Sequence, residues 1–149
     1  MQTTSASYNP YMTPGVAGGK YDIRPDTVST RSAEEVIPFG RAVTYGTKPD
    51  KQCTIINNAA DKFMGVALKT HTIAVEADAV PGYAISDAVS ILEKGAVWVE
   101  VTSDVVAGAA AYVDIANGKF TDVSTNNLAV PGGTFETSAS SGGLAVLKF

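Results

Sequence analysis

The chain has 149 residues, 45% of them hydrophobic and only 17% charged, with a formal net charge of −4. That length suits one domain with a real core, and the acidic balance argues against nucleic acid, which normally meets a basic face. One cysteine and one histidine exclude an intrachain disulfide framework and a self-sufficient zinc site.

The charged fraction lies below the usual level of about a quarter. Such a surface is poorly solvated for a free monomer, so part of it is expected to be hidden in an interface, and the chain is expected to self-associate. The opening Met1-Gln2-Thr3-Thr4-Ser5-Ala6-Ser7 lacks the basic and apolar regions of a signal peptide. No apolar run is long enough to span a bilayer. The expectation is a soluble protein with no membrane partner.

Residues 1–35 are rich in Ser, Thr, Pro, Gly and Asn and poor in Leu, Ile and Phe. On composition they bury too little apolar surface to offset their ordering entropy alone. They are expected to form an extended N-terminal arm that orders against a partner, with Tyr8, Tyr11 and Tyr21 as contact anchors. Fully extended, such an arm reaches at most about 120 Å. Gly15-Val16-Ala17-Gly18-Gly19-Lys20 looks superficially like a phosphate-binding loop, but Pro14 and Tyr21 stand where the motif needs Gly and Ser or Thr.

Residues 36–149 read as strands. Arg41–Tyr45 is flanked by glycines. Cys53–Ile56 ends at the turn pair Asn57-Asn58. Phe63–Thr70 follows, then a weakly alternating His71–Glu76 and a turn at Ala79-Val80-Pro81-Gly82. Ala88–Leu92 and Ala96–Val101 are expected to form a hairpin about Glu93-Lys94-Gly95. In the second, Val97, Val99 and Val101 face one way, and Trp98 and Glu100 the other. Trp98 is a candidate for core packing or for an interface hot spot. Ala109–Ile115 and Lys119–Val123 are expected to form a second hairpin, with Asn117-Gly118 suited to a type I′ turn. Gly133–Thr137 and Leu144–Phe149 close the chain. Val105–Ala111 is the best helical candidate, and Gly108 interrupts it. The fold class is therefore all-β, a small β-barrel or sandwich body with an extended N-terminal arm.

No catalytic constellation is visible, so no enzyme activity, cofactor or metal is expected. His71 and Cys53 carry none of the surroundings of an activated pair. The acids lie mostly at turns, where turn chemistry accounts for them. No calcium-loop pattern is present.

The order Phe39-Gly40-Arg41-Ala42-Val43, Phe63-Met64-Gly65-Val66-Ala67, Gly95-Ala96-Val97-Trp98-Val99, Val105-Val106-Ala107-Gly108, Tyr112-Val113-Asp114 and Gly118-Lys119-Phe120-Thr121 resembles the structural cement, or capsid decoration, proteins of tailed bacteriophages. The resemblance covers about residues 36–124, and Gly142–Leu147 is similar to the family's closing strand. It implies a non-enzymatic virion protein on the outer capsid surface, made in the host bacterial cytoplasm. Its implied partners are the major capsid protein and copies of itself, as a dimer or trimer, clamping adjacent capsid subunits against DNA pressure. The alternative is a host- or carbohydrate-binding β-module, for which Tyr45, Tyr83 and Tyr112 would need to gather at one rim.

Overall fold

Short runs of β-branched and small apolar residues alternate in this chain with polar positions, and glycine or asparagine closes most of them. That pattern suits pleated, half-buried ribbons and leaves no stretch with a helical stripe. The computed structural model describes residues 15–71 and 80–149, and among them there is no helix. In chain order the strands are β1 (Thr27–Ala33), β2 (Ile37–Pro38), β3 (Ala42–Tyr45), β4 (Gln52–Ile55), β5 (Gly65–Ala67) and β6 (Gly82–Tyr83). They continue with β7 (Ala88–Lys94), β8 (Ala96–Glu100), β9 (Ala110–Asp114), β10 (Lys119–Thr121), β11 (Leu128–Phe135) and β12 (Leu144–Lys148).

Two units result. The first is a closed barrel in the order β1-β4-β3-β5-β7. The β1–β7 pairing holds one register from Val28↔Leu92 to Ser32↔Ala88, and the β2–β6 pair, Ile37↔Tyr83, continues it. One long antiparallel ribbon therefore forms the back of the barrel, broken by the turn around Ser86, whose φ is 72°. Closure comes from a short parallel contact of β1 with β4 at Ser32↔Gln52 and Ala33↔Cys53.

The second unit is a sheet in the order β10-β9-β11-β12-β8. It curls until the continuation of β8 reaches the far edge, where Val101 bridges Phe120 in parallel and the Thr102 amide donates to the Phe120 carbonyl at 2.9 Å.

Period-two alternation assigns the cores. Val43, Ala67 and Ile91 point into the barrel with Ile37, Phe39, Cys53 and Tyr83. Their neighbours Ala42, Val66 and Leu92 point outward and join Val97, Val99, Val113, Phe120, Phe135 and Leu147 in a second core. The outer wall of the barrel thus plugs the open side of the curled sheet. Each fully buried Val, Leu or Phe in these clusters contributes roughly 1.5–3 kcal/mol.

Three sequence expectations change here. Residues 15–35 do not stand off as part of an arm: Thr27–Ala33 is a barrel strand, and Lys20 bridges Val97 in the second sheet. Most β1 side chains face solvent or are only half-buried, so its composition is that of a linker while its backbone pairs throughout its length with β7. Composition measures apolar burial and is blind to that pairing. The part of the expected arm before residue 15, with Tyr8 and Tyr11, and the alternation over 72–76 lie outside the described residues.

β7 and β8 are not a hairpin. β7 pairs with β1 and β5, and β8 pairs with β12. The chain crosses between units at Gly95, whose φ of 138° turns it away, and whose N–H and C=O both bond Phe149 at 3.0 Å. The β9–β10 hairpin does form, with Lys119 opposite Asp114. Its loop has four residues rather than a two-residue type I′ turn: Gly118 takes φ 73° and Asn117 is not in the left-handed region. Asp114 caps the loop by accepting from the Gly118 amide at 2.8 Å and, through its carboxylate, from the Ala116 amide at 3.0 Å. This loop then docks on the barrel. The Ala42 amide donates to the Gly118 carbonyl at 2.8 Å, and the Arg41 guanidinium donates to the Asn117 carbonyl at 2.7 Å.

Candidate interface surface

The two candidate anchors that the structure describes, Tyr21 and Trp98, meet each other. Their rings stand edge to face with centroids 5.6 Å apart and planes at 72°. Trp98 lies on the face of β8 turned away from the main core, with Ala96 and Val146. It is buried because residues 15–21 run along β8 as an added antiparallel segment. The Gly18 amide donates to the Trp98 carbonyl and the Trp98 amide to the Gly19 carbonyl, each at 2.9 Å, and the Tyr21 amide donates to the Ala96 carbonyl at 3.1 Å. Gly15 lies so close that a Cβ there would sit 2.7 Å from the indole. Trp98, 7% exposed, is therefore covered by its own chain and is not an open hot spot. The same segment is why the Gly15–Lys20 run is an edge cover rather than a phosphate loop.

Among the described residues no catalytic group gathers around the nucleophile candidates. Cys53 is buried in the barrel core, and burial pushes its thiol up to about 11 from an ordinary 9.0, with Arg31 opposing and Glu34 adding to the shift. His71 is exposed. The acids do serve turns. The Asp61 carboxylate accepts from the Asn57 and Asn58 amides at 3.2 and 3.1 Å, and Asp87 accepts from the Ala84 amide at 2.8 Å. Asp104 accepts from the Ser141 amide at 2.8 Å, while Glu34 and Glu35 accept from the hydroxyls of Thr47 and Thr54. Among the described residues no group of three metal-ligating side chains exists. A cavity of about 240 Å³ lies between Val16, Phe39, Arg41, Lys69, Val80 and Glu100.

The tyrosine rim needed for a glycan-binding surface is not assembled. Tyr83 is buried inside the barrel and donates its hydroxyl to the Leu68 carbonyl at 2.5 Å. Desolvation there raises its pKa. Tyr45 and Tyr112 belong to different units.

What remains for contact is exposed side chains. Ile23, Val36, Val80, Ile85 and Val106 are all more than half exposed. Sequence reasoning named none of them as a contact residue. In Asp22-Ile23-Arg24-Pro25, a lone isoleucine amid turn residues was the available signal. Around it, Arg24 grips the Asp22 carboxylate with Nε and one terminal nitrogen, at 2.8 and 2.7 Å, and the Glu136 carboxylate at 2.9 Å. The first of these holds the Asp22 carboxyl below the usual carboxylate range. The second sheet offers little edge for strand addition: residues 18–21 and Phe120 take up the outer side of β8.

An all-β block, a closed barrel joined to a curled five-stranded sheet, is the class that the fold defines. The sequence matches the model of the structural cement protein family (E217 gp24/Pam3 gp6) over residues 4–149, and the chain belongs to that family. It is a phage virion structural protein. Its fold is similar to a chain in the capsid of Myoviridae phage XM1, with a TM-score of 0.75 at 17% identity, covering 99% of this chain and 97% of that one. It is similar also to the N base of head fiber gp8.5 in bacteriophage phi29, with a TM-score of 0.51 at 16% identity, covering 84% of this chain and 94% of that one. A search of curated proteins gave no match.

Proposed function

We propose that this protein sits on the outer face of the capsid as a small homo-oligomer and ties neighbouring major capsid subunits together against the pressure of packaged DNA. The family match across residues 4–149 carries the reading. The architecture is in keeping with it. A clamp must transmit load without yielding, and here barrel and sheet share one core and are pinned by the Gly118 and Gly95 backbone bonds. Tyr8 and Tyr11 are proposed as contacts to neighbouring subunits, while Tyr21 and Trp98 buttress the point where that stretch joins the body. Each contact need only be modest, since an interface near 1,000 Å² of the transient class gives affinities on the order of micromolar. Repetition over a lattice turns modest contacts into avidity.

The test is a pair of particle preparations, with and without the protein. Heating or osmotic shock is expected to release DNA earlier from particles that lack it, and a difference map should place it across subunit boundaries on the outside. If the deficient particles withstand heating equally well but fail to adsorb to cells, the clamp reading falls and the host-binding one replaces it.

A further inference from the structure

The loop between the β8 cover and β1 carries an apolar side chain that no described residue covers. Ile23 has a fractional exposure of 103%, that of a free side chain. An exposed isoleucine on a slack tip is ordinary. This tip is not slack. Tyr21, just before it, is locked against Trp98, and Arg24, just after it, is tied to Asp22 and to the distant Glu136. The Arg24 guanidinium also lies 5.7 Å from the centroid of the Tyr21 ring, and an ion pair of Lys20 with Asp26 at 2.9 Å closes the base of the loop. Holding an apolar knob rigidly in water gives the free chain no burial. It lowers the ordering cost of a later contact.

The surface beside the knob has a sign. A shallow groove of about 250 Å³ starts at Arg24 and Pro25 and runs past Lys94, Gly95, Lys148 and Phe149, with no acidic side chain in its lining. Lys94 and Lys148 are exposed, and neither has an ion pair among the described residues. Two ammonium groups with no ion pair among the described residues thus line a groove that begins one residue after Ile23.

We propose that Ile23 and the Lys94–Lys148 groove form one docking surface, with Ile23 entering an apolar socket on a capsid-shell protein whose rim carries carboxylates. This rests on the capsid-binding reading above. The apolar knob supplies affinity, and the cationic groove supplies orientation and salt sensitivity.

The experiment uses the full-length chain and particles stripped of it, measured by co-sedimentation at low and high salt. Ile23→Ala is expected to weaken binding about ten- to a hundred-fold, the value of burying one such side chain, and Ile23→Asp by more. The double variant Lys94→Glu, Lys148→Glu is expected to weaken binding at low salt and to flatten its salt dependence. All three should keep the wild-type melting temperature. Wild-type binding with undiminished binding of Ile23→Asp overturns this proposal alone. Failure of the wild-type chain to bind any particle overturns the capsid reading as well. A fall in melting temperature for Ile23→Ala means the side chain packs within the free chain, and loss of self-association with particle binding retained makes the surface a contact between copies. Either result overturns the proposal.

Discussion

The barrel and the second sheet are both five-stranded and both small, yet they are assembled differently. The barrel draws its strands from far along the chain: Val28 pairs with Leu92, and β1 reaches β4 in parallel. The second sheet uses one continuous stretch, from Ala96 to Lys148, in antiparallel ladders. The barrel encloses its own core. The sheet does not, because its core includes Ala42, Ile56, Val66, Leu68 and Leu92 from the barrel side, and its outer face over Trp98 is roofed by Tyr21 and the run before it. The locally built unit is thus the dependent one. Sequence proximity eases loop closure and speeds pairing, but it does not make a sheet self-sufficient when one open side must be plugged.

The largest test of this contrast removes β1. A chain starting at residue 34 leaves β7 without its long partner and takes the roof off Trp98. The expected result is loss of cooperative unfolding in both units, followed by thermal melting and sedimentation. A chain so shortened that keeps a full-height transition breaks the comparison. Next in size, Phe120→Ala should cost about 3–5 kcal/mol and Ile91→Ala about 2–5 kcal/mol. The first lies in the sheet core and the second in the barrel. Because the cores share the barrel wall, urea curves by Trp98 fluorescence and by circular dichroism should coincide for both variants. Separate midpoints would show two independent units.

A smaller effect sharpens the joint between the units. Gly118 combines a φ of 73° with close approach to Ile55, so Gly118→Ala is expected to cost roughly 1–3 kcal/mol. Gly108→Ala, at φ 93° with open space around it, carries the backbone cost without the clash and should cost less. Equal losses would mean the docked loop contributes nothing. The smallest effect is a pH dependence confined to the barrel. Cys53 has its thiol raised from 9.0 to about 11 by burial. The unfolded chain ionises first, so the stability tied to the neutral thiol is intact below pH 9 and declines as pH rises through about 11. Denaturant midpoints should fall more steeply above pH 9 in the wild type than in Cys53→Ala, which keeps the part of the decline that comes from buried Tyr83, and a thiol reagent should label the native chain slowly at neutral pH.

The sequence alone determined the all-β class, the faces of β8, the β9–β10 hairpin and the family, because alternation, turn residues and short motifs are local properties. Val97, Val99 and Val101 are buried on one side as their spacing demanded. Which sheet a strand joins is not local, and only the tertiary structure decided it. Period two says which side chains turn inward, but it does not name the neighbour. Glu93-Lys94-Gly95 therefore read as a hairpin when it is the crossing between units. Thr27–Ala33 read as part of an extended arm because the stabilising interaction lies in its backbone, whose partner stands about sixty residues away. Trp98 had two open fates until residues 15–21 were placed over it. Ile23 drew no notice because an isolated apolar residue in a polar turn becomes informative only when ion pairs that reach as far as Glu136 are seen to hold it still.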